Sequence, residues 1–381
     1  MIEITNKAKC TGCNACQSVC PKSCISMKID NEGFLYPIVN KELCVNCNLC
    51  EKICPIINKV DGQNEPIAYG AYSKDKNVRL QSSSGGIFTL LAESVINRGG
   101  IVFGACFDKE FNVIHDFASD INGLSKFRGS KYVQSKTSDT YIRAKEFLDE
   151  KRLVLFTGTP CQIGGLKAYL QKDYNNLICQ DIICHGVPSP MVWQKYIEYR
   201  KDIAKSNIDN INFRDKSEGW QNFSMKIEFA SGSSDVQLLR NDLMIKSFLK
   251  NVSLRPSCYA CSFKTLNRQS DITLADFWGI ENVMPKMNDD KGTSLVIINS
   301  QKGQTLFDLI KDDIIFENTD LQKAISFNSA AIKSVPINNN RKGFFEDIDR
   351  LQFDELVNKY CKENTKTKAK RLIKGILSKL K

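Results

Sequence analysis

Apolar and polar residues alternate along residues 25–39, ISMKIDNEGFLYPIV, around an Asn-Glu-Gly break. Period two on both sides of a turn tripeptide predicts a β-hairpin. Beyond it, short apolar runs alternate with longer stretches of helical period. GGIVFGACF (99–107) reads as a buried strand. RLVLFTG (152–158) and then TPCQIGGLKAYLQK (159–172) read as strand, loop and helix, and NLICQDIICHG (176–186) with PSPMVWQKYIEYRKD (188–202) repeats the unit. Strand–loop–helix units of this kind predict a mixed α/β sheet with parallel members. The polar, turn-rich DGQNEP (61–66) separates this region from the hairpin and marks a linker.

Composition narrows the class. The 381 residues are 42% apolar and 25% charged, as in a folded globular chain. Nowhere do about 18 uncharged apolar residues run together, so no membrane-spanning helix is expected. The opening MIEITNKAKC lacks the apolar stretch of a secretory leader, and a cytoplasmic location follows as the expectation. The net charge is +10, but the last twenty residues, with eight Lys/Arg and one Glu, carry +7 of it. The body is nearly balanced, which argues against a nucleic-acid partner.

Cysteine is the abnormal component. There are 16, nine of them within the first 54 residues, and only two histidines, His115 and His185. In a reducing compartment such density points to metal or redox chemistry. KAKCTGCNACQSVCP and KELCVNCNLCEKICP repeat one another 34 residues apart, each reading C-x2-C-x2-C-x3-C-P. Three thiolates two residues apart can hold three corners of a cubane, while the fourth is directed at the other cluster. This pairs Cys10, Cys13, Cys16 and Cys54 on one 4Fe–4S cluster, and Cys44, Cys47, Cys50 and Cys20 on a second. A zinc module would instead show two C-x2-C pairs across a longer loop. Cys24 belongs to neither run and reads as a small half-buried apolar residue. No C-x3-C-x2-C triplet occurs.

Four further cysteines stand out by position. Cys161 and Cys184 each follow a predicted strand; if those strands are parallel neighbours, both thiols lie at the carboxyl edge of the sheet, where open α/β sheets bind ligands. RPSCYACSFK adds Cys258 and Cys261 as a C-x2-C pair. Spacing leaves two readings open, a third 4Fe–4S site or two core cysteines and a coincidental pair. In QSSSGGIFTLLAESVI, Ser82 to Gly86 precede an amphipathic helix. Free N–H groups there suit a phosphate, or the serines are plain N-caps. Neither a dinucleotide-binding G-x-G-x-x-G after a strand nor a P-loop is present. Cys106, Cys179 and Cys361 have no partner at metal spacing.

SSSGGIFTLLAESVI, FRGSKYVQS, VLFTGTPCQIGGLK, ICHGVPSP, SCYACSF, ITLADFWG and DDKGTSLVIINS, in this order, resemble the coenzyme F420 hydrogenase/dehydrogenase beta-subunit family over roughly residues 66–300. The preceding ferredoxin module is a common companion of that family. The resemblance implies FAD beside a 4Fe–4S cluster held by Cys161, Cys184, Cys258 and Cys261. It implies that Ser83, Ser84, Gly85 and Gly86 meet the cofactor's phosphates and that Thr157, Gly158 and Thr159 border flavin or cluster. It adds Lys131, Asp276, Lys291, Gly292 and Thr293 to the pocket, though each also suits ordinary turn and surface chemistry. His185, beside a ligand, reads as a hydrogen-bond donor to sulfur or as a cap.

The expected fold class is α+β followed by α/β. A bacterial-type two-cluster ferredoxin domain fills 1–60. A mixed α/β flavin and iron–sulfur domain fills 66–355, in parts 66–150 and 151–355. A short basic helix closes the chain at 362–381, with Leu372, Ile373, Ile376, Leu377 and Leu380 on one face. Such a helix suits peripheral contact with an anionic membrane face. The expected activity is an iron–sulfur flavoprotein oxidoreductase, passing electrons between a hydride-carrying small molecule, F420 or similar, and the ferredoxin clusters. The resemblance leaves two alternatives: a ferredoxin-driven reductase of a surface-polysaccharide precursor, and a non-catalytic electron-transfer subunit docked on a redox partner protein.

Overall fold

The computed structural model describes residues 1–62 and 64–362. The basic amphipathic segment expected over 362–381 lies outside them apart from its first residue.

The N-terminal unit is built around the hairpin β1 (Ile25–Ile29) and β2 (Leu35–Val39), paired antiparallel. Asp30 closes its turn: its Oδ1 accepts from the backbone N–H groups of Glu32 at 3.0 Å and Phe34 at 2.9 Å. Two one-turn helices, Ala15–Ser18 and Leu49–Lys52, carry the third cysteine of each run. Both start from an asparagine in the left-handed region, Asn14 at φ 73° and Asn48 at φ 58°. Asparagine tolerates that conformation better than most side chains.

The body contains an eight-stranded mixed sheet. Its strands are β3 (Ile67–Ser73), β4 (Ile101–Phe107), β5 (Val113–Ala118), β6 (Val154–Gly158), β7 (Leu177–Ile182), β11 (Ile272–Asp276), β12 (Ser294–Ile298) and β13 (Ile314–Thr319). Their order is β13-β3-β12-β11-β7-β6-β4-β5. The middle strands β4, β6, β7 and β11 are parallel, and the flanking ones antiparallel. Buried on both faces, β4 and β6 read as nearly continuous apolar runs, which is why the sequence shows them clearly, whereas β7 and β11 also bury Gln180, Asp181 and Thr273. The remaining strands β8 (Ile208–Asp215), β9 (Ser224–Phe229) and β10 (Ser234–Leu238) form a separate antiparallel sheet.

One apolar cluster spans the N-terminal unit and the body. Ala15 and Ile53 pack with Tyr141, Ala144, Ile163 and Leu166. The hairpin tip also docks: Glu32 pairs with Arg341 at 2.5 Å, and Ser189 Oγ donates to the Glu32 carbonyl. Gly33, at φ 83°, lies so close to Met191 that a Cβ would stand 2.4 Å from the Met191 Cβ. Among the described residues, no helix is long and apolar enough to cross a membrane.

Candidate redox site

The twelve cysteines of interest fall into three groups, each around its own cavity. Cys10, Cys13, Cys16 and Cys54 line the first. Cys20, Cys44, Cys47 and Cys50 line the second, and Cys24 joins them there. Cys161, Cys184, Cys258 and Cys261 line the third. Among the described residues no group of three or more Cys, His, Asp or Glu side chains is placed to hold a single metal ion; the cysteines of each group instead line a cavity. That four-thiol arrangement fits a cubane cluster, whose corners are separated iron atoms.

The third group follows from strand order. β6 and β7 are parallel neighbours, in register from Val154 with Leu177 to Gly158 with Asp181, so the chain segments leaving them emerge side by side. Cys161 sits in the first turn of the helix Pro160–Leu170, where the positive end of the helix favours anionic sulfur. Thr159 Oγ1 lies 3.2 Å from its Sγ, and the N–H of Val187 reaches Cys258 Sγ at 3.5 Å. Arg255, Lys264 and Arg268 also line this cavity, an inventory suited to the net negative charge of a thiolate-held cluster. Burial pushes the thiols of Cys13, Cys184 and Cys258 up to about 12, with neighbouring thiols adding to the effect. Iron binding at these positions must therefore displace a proton.

Beside this group lies a cavity of about 690 Å³, within the size range of small-molecule and cofactor sites. Cys161 and Cys184 line both cavities. Ser83, Ser84, Gly86, Lys131, Thr157, Gly158, Thr159 and Asp276 are all in the wall of the larger one. Gly85, Lys291, Gly292 and Thr293 stand outside that wall and support the serine loop from behind. Gly85 N–H donates to Ser294 Oγ at 3.0 Å, and the Thr293 carbonyl accepts from Ser84 Oγ at 2.9 Å. Gly292, at φ 98°, accepts at its carbonyl from Arg79 Nε at 2.8 Å, and the Lys291 carbonyl accepts from Lys216 Nζ at 2.9 Å.

Several wall residues have their polar groups already engaged. Lys131 Nζ donates to the carbonyls of Lys126 and Arg128, both at 2.9 Å, and burial brings its pKa down to about 8. Asp276 holds Arg214 through two contacts of 2.8 and 3.2 Å and accepts from Trp220 Nε1 at 3.2 Å. His185 Nε2 is 2.7 Å from Asn251 Oδ1, so that nitrogen is committed away from sulfur. His115 Nε2 bonds to the Thr157 carbonyl at 3.0 Å, while its Nδ1 is buried without a partner in the wall.

Arg214, on β8, is the residue that sequence reading missed. Its side chain is 1% exposed, its guanidinium lies 3.9 Å above the Phe223 ring, and it reaches the Ser83 carbonyl at 3.3 Å. Its only sequence signal is an arginine in a strand-like stretch, which is not specific.

The first and third thiol groups adjoin. Thr11 borders the first cavity, the third and the 690 Å³ cavity alike. A Cβ on Gly165, in the Cys161 helix, would stand 2.8 Å from the Cys13 Cβ. Arg255 closes the junction: Nε donates to the Cys10 carbonyl at 2.8 Å, and Nη2 lies 3.6 Å from Cys10 Sγ. The second group is the remote one, and its Cys47 is exposed.

Residues 151–324 match the family model for the C terminus of the coenzyme F420 hydrogenase/dehydrogenase beta subunit, and residues 9–57 match a 4Fe-4S dicluster domain. Over residues 151–324, somewhat less than half of its length, the chain is similar to the F420 hydrogenase/dehydrogenase beta-subunit family. It carries a ferredoxin-type domain at its N-terminal end and is an iron–sulfur electron-transfer protein related to the F420 hydrogenase beta subunit. A chain of the F420-reducing [NiFe] hydrogenase complex from Methanosarcina barkeri is similar at 19% identity and a TM-score of 0.45, over 78% of this chain and 92% of that one. No curated protein matches.

Proposed function

We propose that the protein is an iron–sulfur flavoprotein oxidoreductase, with FAD in the 690 Å³ cavity and 4Fe–4S clusters in the three thiol groups. The observation that carries this reading is the shared wall: Cys161 and Cys184 border both the large cavity and the third thiol group. Flavin exchanges the two electrons of a hydride with carriers that take one electron each. The hydride partner in this reading is F420 or a carrier like it, and the last acceptor or donor is a redox partner protein.

The chain's own residues supply position and charge. Ser83, Ser84 and Gly86 precede the helix Ile87–Ile96, where N–H groups and the helix dipole suit a phosphate. Arg214 adds a buried positive charge to the same wall, fixed in place by Asp276. Thr159 and the Val187 N–H are within reach of ligand sulfurs, and hydrogen bonds to sulfur are among the factors that set cluster potential. Adjacency orders the sites as large cavity, third group, first group, second group. The exposed Cys47 makes the second group the port for a partner protein.

The test is anaerobic purification with iron, sulfide and flavin counted per chain. About twelve iron and one FAD are expected from three four-iron sites. Full iron without flavin would replace this reading with an electron-transfer subunit that docks on another enzyme. Eight iron would remove the third cluster. A chain with flavin that leaves F420 absorbance unchanged would remove F420 as hydride partner.

A further inference from the structure

Thr11 and Val45 hold the same place in the two cysteine runs, directly after the first cysteine of each. Their settings invert what their chemistry favours: Val45 is 57% exposed and Thr11 only 8%. The buried polar residue is the one that needs a reason. Thr11 borders the first thiol cavity, the third and the 690 Å³ cavity. The carbonyls of its loop are engaged from the body. Arg255 Nε donates to Cys10 at 2.8 Å, Gln134 Nε2 to Thr11 at 3.1 Å and Thr137 Oγ1 to Cys13 at 3.4 Å. Among the described residues, Thr11 Oγ1 itself has no hydrogen-bond partner. A buried hydroxyl left unpaired is unfavourable, so the loop is built around a group that completes it. A ligand sulfur of the first cluster is such a group, because an anionic sulfur accepts what a hydroxyl can donate. Cys13 offers it. Burial pushes the Cys13 thiol up to about 12, and the Thr11 hydroxyl is among the groups that oppose the rise. Cys13 is also the ligand turned toward the third site: a Cβ on Gly165, in the helix that carries Cys161, would stand 3.0 Å from its Sγ.

We infer that the Thr11 hydroxyl donates a hydrogen bond to the Cys13 sulfur of the first cluster and raises the potential of that cluster. This inference rests on the ferredoxin reading of the N-terminal unit. Reduction adds negative charge to a cluster, and a donor at sulfur stabilises it; such bonds are among the factors that set cluster potential. Val45 gives the second cluster no counterpart. Two clusters with the same ligand spacing are thereby made unequal, and the one at the junction with the third group holds an electron more firmly than it would with valine beside it.

The experiment uses the full chain purified without oxygen, with iron and acid-labile sulfide counted. Each cluster is titrated potentiometrically by electron paramagnetic resonance, and the iron–sulfur stretches are recorded by resonance Raman in H2O and D2O. Thr11→Val copies the second run and is expected to keep the wild-type iron count. The potential of the first cluster should fall, that of the second should stay, and part of the deuterium shift of the stretches should vanish. Thr11→Ser keeps the hydroxyl and should restore both. Thr11→Ala repeats the test with a smaller side chain should valine disturb cluster loading. An unchanged first-cluster potential in Thr11→Val, or a serine variant that behaves like the valine one, overturns the inference. So does a change confined to the third cluster or to flavin affinity, which would assign the hydroxyl to one of the other two cavities. Loss of first-cluster iron in both the valine and the alanine variants overturns it as well, making the residue a structural one. A wild-type chain without ferredoxin iron would instead strike the proposed function itself.

Discussion

The guanidinium of Arg255 donates from Nε to the carbonyl of Cys10 at 2.8 Å, binding a residue three before Cys258 to the first cysteine of the chain. The same side chain is fully buried. It donates to the Leu35 carbonyl at 2.9 Å and to Gln134 Oε1 at 2.9 Å, and it lies 4.3 Å over the Tyr36 ring. It touches the cysteine loop, the hairpin and the body at once. Arg255→Met should therefore cost about 3 kcal/mol, because several buried acceptors lose their donor. Arg255→Lys should rescue little of it, since an ammonium cannot reproduce the planar fork. Urea unfolding of the three proteins measures the cost. Redox titration should show the potential of the Cys10 cluster falling in Arg255→Met while the second N-terminal cluster stays put.

Removing one thiol from the third group separates the sites. Cys258→Ser is expected to reduce the iron content by about four per chain and to leave the two N-terminal clusters in place. Iron counting and visible absorbance check this. An unchanged iron count would show that Cys258 is not a ligand.

Arg214→Met strips Asp276 of its cation in the wall of the large cavity. Losing one partner of a buried pair costs about 3–5 kcal/mol, and the charge facing the serine loop goes with it. The expected result is a lower melting temperature together with loss of bound flavin, read by fluorescence of the released cofactor. Iron in the N-terminal clusters should be unaffected, because Arg214 touches none of those thiols.

His115 predicts a pH effect on stability. Burial brings its pKa down to about 4, so the folded protein keeps the ring neutral where the unfolded chain would protonate it. The unfolded state therefore binds the extra proton between about pH 6.5 and 4. The contribution is present above about pH 6.5 and is lost as pH falls. Between about pH 7 and pH 5 the loss is about 2 kcal/mol. Comparing wild type with His115→Phe in urea at the two pH values isolates it: the variant should lack this part of the pH dependence.

The thiol groups are legible in the sequence because their chemistry is local. C-x2-C-x2-C-x3-C-P is a complete instruction within a single short run, and the strands before Cys161 and Cys184 are apolar enough to recognise. Their convergence at one sheet edge follows from β6 and β7 being parallel neighbours. The wall opposite is not legible. Arg214 meets the Ser83 carbonyl across 131 positions of chain, by way of a small sheet whose period-two pattern (Met225, Ile227, Phe229) marks strands but not what they face. Lys291, Gly292 and Thr293 stand behind the cavity wall rather than in it, and the sequence does not separate the two, because a turn near a cofactor and a turn behind it look alike in one dimension.

The apolar seam that joins Ala15 and Ile53 to Tyr141 and Leu166 has a kinetic consequence. A carrier on a loose tether must swing between donor and acceptor, and its turnover slows as the medium thickens. In the proposed reading the relay is bolted to the body, so nothing has to swing for charge to travel from one end to the other. Internal transfer, followed by rapid mixing, should then run at the same speed in buffer and in glycerol.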